Sequence, residues 1–252
     1  MVTPVIMRRA ATPNADVRPR PASRPGARGK GAAAPSSSLL DESALTRAVR
    51  SLSRSDRKLA SLIRKVGPCT LEPGRQPDHL TALVRTIVFQ QLSGKAAATI
   101  FGRLVSQLPP GSLTADPGTW SGLTDEQMRA AGLSRPKVSY VRDLCEQAGR
   151  GALRLGEWGA MDDDEIAQAL VGVRGFGRWS AHMILMFHLG RPDVWPVDDL
   201  GIRKALARMD GLSDLPTAKE IGARADGWRP WRSVASWYLW RSLDVDMTGV
   251  GW

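Results

Sequence analysis

The sequence predicts an all-α protein built as a compact helical bundle. Three observations carry that reading: apolar residues recur at three- and four-residue spacing along most of the chain, period-two alternation is scarce, and Pro/Gly punctuation falls between the periodic segments at the intervals of helix connectors.

The chain divides into two unlike parts. Residues 1–40 hold six prolines, no aromatic residue and the run Gly31-Ala-Ala-Ala-Pro35-Ser-Ser-Ser38, too little apolar mass to offset the entropy of ordering. A disordered basic tail is expected there. Its prolines would break the amphipathic helix of a transit peptide, and no signal-peptide apolar core is present. Residues 41–252 are expected to form one α-helical domain. Its periodic segments run Leu45–Leu52, Leu59–Val66, Leu80–Leu92 and Ala97–Leu108, then, after Pro109-Pro110-Gly111 and Asp116-Pro117-Gly118, Val138–Ala148 behind the turn Gly132-Leu-Ser134. Ile166–Val171 and Ala181–Leu189 flank a glycine-bearing turn. Ile202–Met209 follows Pro196 and the paired acids Asp198 and Asp199, which read as a helix start, and Val234–Leu243 follows Arg229-Pro230. About ten helices are expected, with no internal repeat.

Composition excludes several classes. With 42% apolar and 24% charged residues the 252-residue chain is globular in balance, and no run approaches the roughly 18 uninterrupted apolar residues of a membrane span. Cys69 and Cys145 are distant from each other and from any second Cys or His at zinc-ligand spacing, so neither a metal cluster nor a disulfide framework is indicated, and a reducing, intracellular compartment is the default. The net charge of +10 suggests an anionic partner such as nucleic acid. Residues 1–40 carry seven basic side chains against one acid, so +6 of that charge sits in the tail and the remaining 212 residues carry only +4.

The strongest local signal is Leu170-Val-Gly-Val-Arg-Gly175-Phe-Gly177-Arg178-Trp179-Ser-Ala181. A short turn with Gly175 and Gly177 exposes consecutive backbone N–H groups at the start of the following helix, where a phosphate can approach and the helix dipole favours an anion. Alone, the pair is also what a plain helical turn contains. Twenty residues after Trp179 comes Asp199, in Pro196-Val-Asp198-Asp199; helix capping is the ordinary role of either acid.

The whole stretch 170–209 resembles the helix-hairpin-helix DNA glycosylases, whose motif is a glycine-rich loop followed by a catalytic aspartate. Within that superfamily the chain is similar to the 3-methyladenine DNA glycosylase II, or alkylpurine, branch. The similarity extends through Leu83-Val-Arg-Thr-Ile-Val-Phe89-Gln90-Gln91-Leu92-Ser93-Gly-Lys95, Gly132-Leu-Ser-Arg-Pro-Lys137 and Trp228-Arg-Pro-Trp231 to Trp237-Tyr238-Leu-Trp240-Arg241, in matching order over about residues 77–244. The resemblance implies a two-lobed bundle with the helix-hairpin-helix at about 166–189. It implies double-stranded DNA containing alkylated bases as partner, no membrane, and a monomer.

The resemblance also distributes roles. Asp199 would be the catalytic carboxylate, stabilising the oxocarbenium-like sugar or activating water. Trp179 and Trp240 match base-pocket positions, with Phe89 and Trp237 as weaker candidates; an electron-poor alkylated purine stacks on such faces, with a cation–π contribution of ~0.5–2 kcal/mol. Trp228 and Trp231 are assigned to the core. Gln91, with Gln90 and Leu92 beside it, sits where the family drives a wedge into the base stack, although glutamines there also suit a helix end. Ser93, Lys95, Gly175, Gly177 and Arg178 complete the expected DNA contacts. His182, His188 and His79 are read as structural.

Departures from the relatives sharpen the expectation. Position 179 is Trp where strand-cleaving relatives such as endonuclease III place a Schiff-base lysine, so hydrolysis alone is expected. Two distant cysteines cannot supply the four that hold the iron–sulfur cluster of endonuclease III; no such cluster and no catalytic metal is expected, while hairpin carbonyls would bind a structural alkali cation as the resemblance implies. Residues 1–40 cannot replace the N-terminal β-rich domain of the longer alkylpurine enzymes. Arg241 stands where the branch has a second aromatic residue. Two other readings stay open: a non-catalytic hairpin DNA-binding protein, and a glycosylase for oxidised or deaminated bases.

The charge distribution yields a first prediction. Deleting residues 1–40 should weaken binding to undamaged duplex and flatten its dependence on salt, because log K falls with log salt in proportion to the phosphates neutralised. Titrations at several salt concentrations check this, and an unchanged slope would contradict it.

Overall fold

The computed structural model describes residues 40–74, 76–112 and 114–244. The expected tail therefore lies outside the described residues, apart from Leu40. No strand occurs among the described residues, and no helix there is long and apolar enough to cross a membrane.

Twelve α-helices are present among the described residues, three more than the periodic segments mark. The first four are α1 (Glu42–Ser55), α2 (Arg57–Val66), α3 (His79–Phe89) and α4 (Gly94–Val105), and α7 (Arg135–Gly149) is the fifth of the expected helices. The unexpected helices are α5 (Pro117–Ser121), α6 (Asp125–Ala131) and α11 (Ala218–Ala225). They are too short for an apolar period to show, and their ends are set by caps: Asp116 and Pro117 open α5, and Thr124 with Gln127 and Thr217 with Glu220 form capping boxes on α6 and α11. The remaining helices are α8 (Asp163–Val171), α9 (Arg178–Met183), α10 (Leu200–Asp210) and α12 (Arg232–Asp244).

Two segments differ from their periodic outline. The segment expected to be helical to Leu92 leaves the helix at Gln90, and Gln91 turns left-handed at φ 57°. The helix expected over Ala181–Leu189 starts earlier, at Arg178, and widens into a π-turn over Ile184–His188.

The helices pack as two lobes. In one, α3 lies on α4 and α7, with α5 and α6 against α7 and α4; in the other, α1 and α2 from the chain's start join α10 and α12 from its end. The α8–α9 pair stands between them, with the π-turn contacting α3. Helix α12 is buried on nearly every side: Val234, Ala235, Tyr238 and Leu239 are fully buried, and the small buried residues Ser233 and Ser236 admit close neighbours. Trp228 is buried as expected, while Trp231 is half-buried.

Polar ties fix the lobes. Asp56 caps α2, accepts from the Trp228 indole at 3.1 Å and pairs with Arg224, which also pairs with Asp210. The buried Arg191 donates to the Trp158 and Met161 carbonyls at 2.6 and 3.0 Å and pairs with Asp163, so the chain leaving the π-turn is pinned to the start of α8.

A histidine pair joins α3 to the π-turn: His79 Nδ1 and His188 Nε2 share a hydrogen bond of 2.8 Å. Burial, and next the His79 ring, hold the His188 pKa down at about 4; burial lowers that of His79 as well. Between the ordinary imidazole value of about 6.5 and this depressed value, the unfolded chain takes up a proton that the folded pair resists. Stability should therefore fall as pH drops through that window. Melting curves from pH 7 to pH 5 should show a loss on the order of 1–2 kcal/mol, a few degrees in Tm, and His188→Gln should flatten most of it.

Candidate active site

The site is assembled where α9, α10 and α12 converge. Asp199 is the N-cap of α10: its Oδ1 accepts from the Ile202 backbone N–H at 2.8 Å, satisfying an amide that the helix leaves without a partner. The same oxygen accepts from the Trp240 indole Nε1–H at 2.9 Å, and Oδ2 accepts from the Trp179 Nε1–H at 2.6 Å. Asp199 is only 6% exposed, whereas its neighbour Asp198 is exposed. Cap and candidate catalyst are thus one residue. A carboxylate offers about four acceptor positions, and these three donors leave one, on Oδ2.

The four aromatic candidates do not form one equivalent set. Trp240 is buried and stacks on Phe187 with centroids 5.8 Å apart, and Trp179 is half-buried; both turn their indole N–H toward Asp199. Phe89 and Trp237 each carry an arginine on a ring face instead: the Arg85 guanidinium lies 3.7 Å from the Phe89 centroid and that of Arg241 lies 5.7 Å from Trp237. A cationic base on those faces would meet like charge. The Arg at 241 thus covers an aromatic face near the site.

The turn between α8 and α9 lies at the surface. Val173 and Phe176 are buried and anchor it, while Gly172, Arg174, Gly175, Gly177 and Arg178 are exposed. Gly175 adopts φ 83°, and an added Cβ would collide with the Tyr140 ring, so glycine is required there twice over. Gly177 is the N-cap of α9 without a side-chain cap, and an added Cβ there meets nothing within 4 Å. The approach to the start of α9 at Gly177 is therefore open.

On the α3–α4 loop, Gln91, Leu92, Ser93 and Lys95 are exposed, with Leu92 at 40%. Ser93 caps α4. The left-handed backbone at Gln91 costs a non-glycine residue on the order of 1–3 kcal/mol, a kind of strain that clusters at functional sites. Gln90 is half-buried, and its side-chain amide donates to the Gly175 carbonyl at 2.9 Å, so that group is committed within the protein.

Sequence reasoning missed the face of α7 that supports both loops. Lys137 donates to the Val88 and Gln90 carbonyls at 2.8 and 2.7 Å, and Asp143 Oδ2 accepts the Arg174 N–H at 2.7 Å. The spacing of Lys137, Tyr140 and Asp143 along one helical face was the signal available. Of the histidines, His182 is half-buried on α9 and its pKa is lowered, first by burial and then by Arg178.

Residues 84–230 match the model of the HhH-GPD superfamily base excision DNA repair proteins. The chain is 30% identical over 196 residues to the alkylbase DNA glycosidase-like protein mag2 of Schizosaccharomyces pombe, covering 77% of this chain and 92% of that one. It is 32% identical to the DNA-3-methyladenine glycosylase 1 of the same organism over 79% of this chain and 87% of the relative. Among solved structures, that of the S. pombe 3-methyladenine DNA glycosylase in complex with abasic DNA superposes with a TM-score of 0.68 at 30% identity, covering 79% of this chain and 98% of the other. The chain belongs to the HhH-GPD superfamily of base excision DNA repair proteins.

Proposed function

We propose that this protein is a DNA glycosylase that flips alkylated purines of the 3-methyladenine type out of duplex DNA and hydrolyses the N-glycosidic bond, leaving an abasic site. The observation that carries the reading is the Asp199 carboxylate, buried and oriented by two indole N–H donors and a helix N-terminus. The relatives named as 3-methyladenine glycosylases, one in complex with abasic DNA, support the substrate class.

The amides at the start of α9, with Arg178, bind backbone phosphate and set the register without reading sequence. Gln91 and Leu92 enter the space of the extruded nucleotide, offsetting an unstacking cost of a few kcal/mol that is least for a damaged base. The base lies against Trp179 or Trp240. As the C–N bond stretches, positive charge develops on the sugar, and the remaining acceptor position of Asp199 Oδ2 faces that charge or the attacking water. An alkylated base already carries positive charge, so it leaves without a strong general acid. The enzyme would act as a monomer. An alkali cation at the hairpin would have to share the Gly175 and Val173 carbonyls with the Gln90 amide and the Phe176 N–H that they already accept, and it would take no part in bond cleavage. Base release from methylated duplex DNA is the test; a protein that binds such DNA and releases nothing would be the non-catalytic alternative.

Asp199→Asn keeps the Ile202 cap, since Asn caps about as well as Asp, but removes the negative charge. Single-turnover excision should fall roughly 10²–10³-fold with fold and DNA affinity retained, equivalent to ~3–4 kcal/mol of preorganised electrostatic stabilisation. The exposed Asp198→Asn should be nearly neutral. A crippled Asp198→Asn beside an active Asp199→Asn would reverse the assignment.

With Trp at 179 and no lysine in its place, the product should carry an intact abasic site. Borohydride should trap no covalent enzyme–DNA adduct, and EDTA should leave base release unchanged. A trapped adduct would point to a Schiff-base mechanism.

A further inference from the structure

Three side chains spaced i, i+3 and i+6 along one face of α7 serve two separate DNA-facing loops. Lys137 Nζ bridges the Val88 and Gln90 carbonyls, the Tyr140 ring backs Gly175, and Asp143 accepts the Arg174 N–H. The Gln90 amide ties the first loop directly to the second through the Gly175 carbonyl. Lys137 lies in the first turn of its own helix, where the dipole disfavours a cation, but its ammonium reaches the C-terminal end of α3, where the dipole favours one. Burial lowers its pKa, so the placement is one that the two carbonyls must offset. Directly after the bridged carbonyl of Gln90 comes Gln91, in a left-handed conformation that an L side chain rarely adopts. A glycine would relieve the strain and would present no wedge.

We infer that Lys137 is a positioning residue for base excision: by clamping the end of α3 it holds Gln91 in its wedge conformation, and through Gln90 it fixes the wedge loop in register with the phosphate-binding hairpin. The inference rests on the wedge role given to Gln91 above. Binding to undamaged duplex depends on the hairpin amides and on basic side chains, which Lys137 does not touch. Extrusion of the base depends on the wedge. Loss of Lys137 should therefore separate binding from flipping, and a displacement of about 1 Å at such a site is enough to cost about 10²-fold in rate.

The test uses the full-length protein with Lys137→Met, Lys137→Arg, Gln91→Ala and the Lys137→Met/Gln91→Ala double variant. Single-turnover excision from N-methylated duplex, affinity for undamaged duplex, melting temperature, and fluorescence of 2-aminopurine placed beside the lesion are measured. Lys137→Met should lower the excision rate about 10²-fold and abolish the fluorescence rise, with undamaged-duplex affinity within about twofold; Lys137→Arg, which restores a cation, should recover part of both. Gln91→Ala should lose a similar factor, and the double variant should be no slower than the slower single one, because both remove one unit. A folded Lys137→Met with normal excision, losses that multiply in the double variant, or a parallel loss of undamaged-duplex affinity would each overturn the inference. If Lys137→Met does not fold, Gln90→Leu cuts the tie to Gly175 from a half-buried position, and unchanged excision and flipping there would overturn it. If the wild type releases no methylated base, the functional reading falls. The fluorescence rise on duplex with an abasic-site analogue still reads the brace, which fails if Lys137→Met matches the wild type there.

Discussion

The organisation of the active region depends on one buried carboxylate. Taking Asp199 out of water would cost several kcal/mol without partners, and its partners come from three helices: the Ile202 amide of α10, the Trp179 indole of α9 and the Trp240 indole of α12. Two of these donors, Ile202 and Trp240, belong to the buried core. Trp240 rests on Phe187 in the π-turn, and α12 is buried on nearly all sides. Orientation of the carboxylate is therefore a property of the helical core, and no additional residues are required to hold it in place. Three donors leave one acceptor position, on Oδ2, open.

The two exposed loops follow a complementary logic. Both are short loops that expose backbone or polar side chains, and each is disfavoured in isolation: Gln91 is left-handed without being glycine, and Gly175 is pressed against Tyr140. Interactions from α7 offset both, so the precision of the loops is imported from a helix beneath them. Placing function on loops over a rigid scaffold lets the loops approach a large partner while the scaffold carries the rigidity. The arginines over Phe89 and Trp237 extend this division, because they cover aromatic faces and leave Trp179 and Trp240 as the rings aligned with the carboxylate.

Much of the fold was legible because local rules governed it. Long amphipathic helices announced themselves by apolar spacing, and the paired acids after Pro196 mark a start that capping chemistry requires, with Asp199 as the cap. The three short helices were not legible, since five to eight residues hold too few apolar positions to define a period. The end of α3 was misjudged for a related reason: Leu92 continues the apolar pattern, but the chain has already left the helix at Gln90, and Leu92 is exposed.

By itself the sequence determined the all-α class, the glycine-bearing hairpin between α8 and α9, and the helix start at the paired acids Asp198 and Asp199 after Pro196, because each is encoded within a few neighbouring residues. Tertiary structure alone decided what those residues touch. Trp179 and Trp240 are 20 and 41 residues from Asp199 along the chain, and the Lys137 ammonium bridges a carbonyl 49 residues away. Partners at such separations are selected by how helices stack and where their ends fall. That selection is made by burial of the whole core, and no local pattern of spacing records it.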